Sequence, residues 1–202
     1  MLFFGHIGLT AGVVKVCQEL TAAGLETKSG EVSGKINRIR DGMRSIDYRF
    51  VLVGSLLPDI IDKPMWMFTG SNIQWSGRGY AHTFLFSLVL LAAGLILVTR
   101  RNKTWLLTVS LCSFIHLVFD EMWLNPVTLW WPLLGPIQRG ETAGWLSSMW
   151  QGLVSSPYVF VSEAVGLAIA LYIGLRLLIG RRVVHFLKKG DINWGELPDS
   201  RR

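Results

Sequence analysis

Two pairs of ionisable residues stand one helical turn apart in otherwise apolar sequence: Asp59 with Asp62, i and i+3, and His116 with Asp120, i and i+4. On a helix each pair shares a face, so both of its side chains can reach one ion or two adjacent ions. Imidazole with carboxylate suits zinc, manganese or iron rather than a thiolate-built structural site. His6 and His82 stand in two further apolar segments. Six candidate ligands, His6, Asp59, Asp62, His82, His116 and Asp120, exceed what one tetrahedral zinc takes. They predict two divalent ions roughly 3.5–4 Å apart, with zinc the first choice, of the kind that activates water and clamps a phosphoester.

Other groups fit around such a centre. Asp62 and Glu163, the latter a lone carboxylate in an apolar run, are candidate proton acceptors, and Glu163 is also a candidate seventh ligand or ligand-supporting group. Lys63 follows Asp62, and Arg78 lies in SGRGYAH, four residues ahead of His82. Cations kept beside the cluster point to an anionic substrate, since Arg can grip phosphate bidentately and Lys can balance its charge; as lipid headgroup anchors they would need no substrate. Glu121, turned about 100° from Asp120, is expected to support a ligand or face solvent. His185, in RRVVHFLKK, reads as a headgroup-facing residue, and Arg139 sits in a Gly- and Pro-punctuated loop as a possible lid residue.

These residues have to be positioned by segments that read as membrane helices. Half of the 202 residues are hydrophobic and only 17% are charged, and mean hydropathy is +0.40, the profile of a small polytopic membrane protein in a single domain, 1–202. Three runs, 82–99, 104–124 and 157–180, approach or exceed the ~20 apolar residues that cross a bilayer. Two N-terminal runs are weaker, 2–20 and 50–62, the second short and stopped by Pro58 and Pro64. The expected architecture is an all-α bundle of about five segments. No cleavable signal peptide is expected, because the first run lacks a basic leader and meets Lys15 and Glu19. Cys17 and Cys112, both in apolar runs, read as small buried hydrophobes rather than a disulfide.

If all five segments cross, sixteen of the 20 Lys and Arg fall on one side, in the loop 21–48 with Arg49, the turn 100–103 and the end 176–202. By the positive-inside rule that side is the cytoplasm, with the N-terminus out and the C-terminus in. Seven of nine tryptophans, at 66, 75, 123, 130, 131, 145 and 150, fall on the other side. The six candidate ligands then share the outer leaflet, although the chain reverses four times between the first and the last segment. Charged groups in lipid cost several kcal/mol unless paired, hydrated or metal-bound, so a shared depth signals function.

The order of motifs resembles the YdjM-type membrane-bound metal-dependent hydrolases. The resemblance rests on GHIGLTAG at 5–12, VGSLLPDIIDKP at 53–64, SGRGYAHTFLF at 76–86 and IHLVFDEMWLNPVTLWWPLLG at 115–135. It covers most of residues 1–135 and implies that His6, Asp59, Asp62, His82, His116 and Asp120 form the metal site. This chain reads D-I-I-D where many members have D-I-D. The implied activity is hydrolysis, with a phosphoester in a lipid or lipid-linked molecule at the outer leaflet as the expected substrate. The competing expectation is a metal-ion transporter or a metal-binding scaffold, although no internal repeat supports a transporter. The partners expected are the membrane and a lipid substrate, with no nucleic acid.

Overall fold

A computed structural model describes residues 1–26, 46–69, 77–137 and 145–192. The expectations for Trp75, for Arg139, for most of the loop 21–48 and for the tail beyond 192 lie outside the described residues.

All regular structure among the described residues is helical. Helix α1 is Phe3–Glu26, α2 Tyr48–Thr69, α3 Phe84–Arg101, α4 Trp105–Phe119, α5 Pro126–Leu129, α6 Trp145–Ser155, α7 Pro157–Ile179 and α8 Val183–Lys189, with 3-10 turns at Tyr80–His82 and Met122–Leu124. Helices α3 and α7 are long and apolar enough to cross a bilayer, and α4 is a shorter apolar helix. The exterior is apolar: Leu88, Val89 and Ile96 on α3, and Phe160, Leu171 and Leu175 on α7, are all exposed. Polar residues outnumber apolar ones among the buried described residues. That inversion of a water-soluble protein is a membrane helix bundle.

Two boundaries differ from the sequence reading. The 50–62 segment does not stop at its prolines, because α2 runs through both Pro58 and Pro64 to Thr69. Pro58 cannot donate to the Gly54 carbonyl, and its ring crowds that carbonyl. The helix persists because it is clamped: a Cβ on Gly54 would meet the Val109 carbonyl at 2.6 Å, so α2 and α4 pack at a distance only glycine permits. The 104–124 run ends early, at Phe119. Asp120 caps it with its N–H on the His116 carbonyl, and Glu121 turns left-handed at φ 52°, which terminates a helix despite the Cβ penalty.

Helices α1 and α7 run side by side, and a Cβ on Gly8 would collide with the backbone of Gly166. Both start at the same end of the bundle, where α3 also starts and α4 ends. At the opposite end the Tyr48 N–H donates to the Gly190 carbonyl at 2.8 Å. There Arg49 Nη1 reaches the carbonyls of Leu187 and Lys188, closing the C-terminus of α8, and an apolar core forms around Val14, Tyr48, Val51, Cys112 and Ile192. Of the two cysteines, Cys112 is buried as expected but Cys17 is exposed, on the outward face of α1. The polar interior collects at the other end.

Candidate metal centre

Four elements deliver the cluster. His6 comes from the first turns of α1, Asp59 and Asp62 from the middle of α2, His82 from the 3-10 turn ahead of α3, and His116 and Asp120 from the end of α4. Thr83 accepts from the Phe86 N–H at 3.0 Å to cap α3, which fixes His82 just outside the helix rather than within it. His6, His82 and His116 are fully buried.

The tautomers of two imidazoles follow from their partners. His116 Nδ1 lies 2.7 Å from the Ser55 carbonyl, which can only accept, so Nδ1 carries the hydrogen. His82 Nδ1 lies 2.7 Å from Asp62 Oδ2, and the carboxylate orients it in the same way. Both Nε2 atoms are then acceptors, yet they face one another at 3.2 Å. Asp59 Oδ1 stands 3.7 Å from His82 Nε2 and 4.0 Å from His116 Nε2. Asp120 Oδ2 stands 3.8 Å from His82 Nε2. His6 stacks on His116 at 3.8 Å between ring centres, and its Nε2 is 3.2 Å from Asp120 Oδ1, although neither of its ring nitrogens has an aligned hydrogen-bond partner.

Acceptors converging in a buried space are stabilised by a cation between them, so this cluster could hold a metal ion. Two nitrogens ~2.0–2.1 Å from a tetrahedral zinc lie about 3.3 Å apart, so the 3.2 Å separation fits a shared ion. The donors form two overlapping triads, His6–His116–Asp120 and Asp59–His82–His116, with the ligand atoms of each within 4.8 Å of one another. His116 belongs to both, and with Nδ1 engaged its one remaining nitrogen can serve one ion. Asp120 presents one oxygen to each side, as a bridging carboxylate would.

The YdjM inner membrane protein family matches residues 1–185, a range that contains every residue of the cluster. This chain belongs to that family. No curated protein and no solved structure matches it.

In this YdjM-family chain five of the six expected ligands come together, and Asp62 stands behind them. It belongs to neither triad. Its Oδ2 accepts from the N–H of Gly79 at 2.7 Å and of His82 at 3.2 Å, as well as holding His82 Nδ1, and its Oδ1 accepts from the Ala81 N–H at 3.1 Å. Glu163 is further removed. Its carboxylate accepts from the N–H groups of Leu2, Phe4 and Gly5 at 2.7, 2.9 and 3.0 Å, so it caps the start of α1 from a neighbouring helix. Both expected cations sit beside the cluster and are paired, Lys63 Nζ on Asp59 Oδ2 at 2.7 Å and Arg78 Nε on Asp120 Oδ2 at 2.8 Å. Glu121 is a turn residue and His185 is exposed.

Sequence reasoning missed the Ser55 carbonyl and the Met1 amine, which lies 2.6 Å from Asp120 Oδ1. It also missed the capping role of Glu163, for which a signal existed: α1 begins after Met1 and Leu2 with no Ser, Thr, Asp or Asn to satisfy its first N–H groups. Glu163→Ala is expected to lower stability by about 2 kcal/mol or more, since three N–H groups lose one acceptor, and Glu163→Gln to recover part of it; thermal unfolding in detergent measures both.

Proposed function

We propose that the chain is a membrane-embedded, divalent-metal-dependent hydrolase that cleaves a phosphoester of a lipid or lipid-linked substrate at the outer leaflet. The observation that carries the reading is the 3.2 Å approach of two oriented imidazole acceptors with two carboxylates beside them. Three imidazoles and two carboxylates favour zinc, with manganese or iron as alternatives, and the two overlapping triads, which His6, Asp59, His82, His116 and Asp120 make up, would hold up to two ions. The placement of basic residues supports the outer-leaflet position, because α1, α3 and α7 start at the site end while the turns with Arg100, Arg101, Arg181 and Arg182 lie at the other. A divalent ion bound there supplies Lewis-acid polarisation of a phosphoryl oxygen and acidification of water.

The protein's own groups then divide the remaining work. Asp62 holds His82, and the Ser55 carbonyl holds His116, so that both Nε2 atoms point inward. Among the described residues Arg78 uses only Nε, on Asp120, and its side chain is 38% exposed, which leaves the other guanidinium nitrogens to bind a phosphate. Lys63 lies beside it on Asp59. As the oxygen of water attacks phosphorus, the ester P–O bond breaks and the leaving alkoxide takes up the water's proton, while Lys63 holds Asp59 Oδ2 and leaves Oδ1 turned to the imidazoles. Asp62 and Glu163 serve as structural acceptors, because their oxygens hold backbone N–H groups and neither belongs to a triad.

Elemental analysis of purified protein, followed by phosphate and headgroup release from mixed phospholipid micelles, tests the reading. The expected result is about two ions per chain, release abolished by chelation and restored by zinc. Metal with no turnover on any phosphoester would replace hydrolysis with metal binding or transport.

A further inference from the structure

A groove of about 450 Å³ opens beside the metal centre, between the start of α1, the end of α4 and the first turns of α7, walled by Met1, Leu9, Phe119, Tyr158, Val161 and Val165. Its size falls within the ~300–1,000 Å³ of sites that take small ligands. The walls are mostly apolar, and the hydroxyls on them are already used: Tyr158 donates to the Phe119 carbonyl at 2.8 Å, which ties α7 to the end of α4, and Ser162 donates to the Val159 carbonyl at 3.0 Å. Val161 and Val165, one turn apart and 56% and 43% exposed, lie on the apolar exterior, so the groove is open sideways to lipid.

The groove adjoins the candidate metal centre through two of its wall residues. Phe119 precedes Asp120, and Met1, another wall residue, places its amine on Asp120 Oδ1. At that end three cations, the Met1 amine, Lys63 and Arg78, stand among the carboxylates of Asp59, Asp62 and Asp120, with Glu163 and Glu121 close by. The two divalent ions of the preceding reading make the sum positive, which complements an anionic headgroup. A water-soluble phosphoester would leave the apolar half of this arrangement unused.

We infer that the groove seats an acyl chain of an anionic phospholipid whose phosphate lies against Arg78 at the metal centre. The inference rests on the lipid substrate of the preceding reading but not on turnover. The chain enters from the bilayer across the exposed side at Val161 and Val165, replaces bulk lipid there, and brings the headgroup to the ion-holding side chains from below.

Photo-crosslinking of the full chain in phosphatidylcholine nanodiscs tests this, with trace phosphatidic acid or phosphatidylcholine carrying the same diazirine acyl chain and labelled peptides mapped by mass spectrometry. Phosphatidic acid is expected to label the groove roughly tenfold more than phosphatidylcholine, the preference one charge-assisted contact supplies, and Arg78→Gln to remove that preference. Val161→Trp, which fills the groove, is expected to abolish labelling of Leu9 and Val165 with bound metal retained. Val165→Trp repeats the block one turn away, so that misfolding of one variant leaves the other to decide. Equal labelling by both probes, or labelling undisturbed by either tryptophan, would overturn the inference. Selective labelling without phosphate release would keep the groove and remove hydrolysis instead.

Discussion

Purified His116→Ala protein is expected to contain no detectable metal and to release no phosphate from lipid. His116 is the one residue common to both triads. It is stacked on His6 and within 3.2 Å of His82 Nε2, so its loss breaks the arrangement at its centre. Removing a group that merely orients a ligand costs roughly 10–100-fold in metal affinity, and removing a ligand shared by the whole site costs more. Alanine also leaves the Ser55 carbonyl without its buried donor, at about 1–3 kcal/mol, so metal loss alone would be open to the objection of misfolding. His116→Asn answers it. The asparagine amide stands where Nδ1 stood and can still donate to Ser55, while nothing replaces Nε2. This variant is expected to unfold at nearly the temperature of chelator-treated wild type and to lose the metal all the same. Wild-type metal content in His116→Asn, by elemental analysis, would place the centre elsewhere.

The convergence of His6, Asp59, His82, His116 and Asp120 was legible in the sequence because depth in a bilayer is a one-dimensional quantity. Hydropathy sets where each segment begins and ends, each reversal returns the chain to the same side, and residues at matching depths need only the bundle to close. Direction around a helix is harder. Asp62 is a ligand by residue type and by its i+3 spacing from Asp59, yet it became the support of His82 because the backbone of residues 79–82 meets it edge-on. No local pattern encodes that approach across seventeen or more residues. Pro58 misled the reading of α2 for the same reason: a proline stops a helix in isolation, whereas here glycine-mediated packing on α4 holds the turn together. That same turn offers the Ser55 carbonyl to His116. The early end of α4 depends on Asp120 and Glu121, which read as a continuation of the apolar run until the left-handed turn is seen. Charge in these stretches was visible; what each charge faces was a property of the packed bundle.

Asp62 therefore provides the sharpest separation between holding an ion and holding its ligand. In Asp62→Asn one oxygen can remain where Oδ2 accepts from Gly79 and His82, but the amide N–H₂ then confronts the Ala81 N–H, donor against donor, and the negative charge that orients the His82 imidazole is gone. Metal affinity is expected to fall roughly 10–100-fold, with most of the fold retained. In Asp62→Ala the N–H groups of Gly79, Ala81 and His82 all lose a buried acceptor, at about 1–3 kcal/mol apiece where water cannot replace it. The turn Tyr80–His82 is expected to come loose, taking His82 out of the cluster, so that unfolding temperature and metal content fall together. Competition titration against a zinc-chelating dye and thermal unfolding, run on both variants, read the two effects separately. If Asp62→Asn lost as much metal as His116→Asn, Asp62 would have to contact the ion itself. An intermediate loss, with Asp62→Ala distinctly less stable than Asp62→Asn, is what a carboxylate that builds the turn and aims the imidazole must produce.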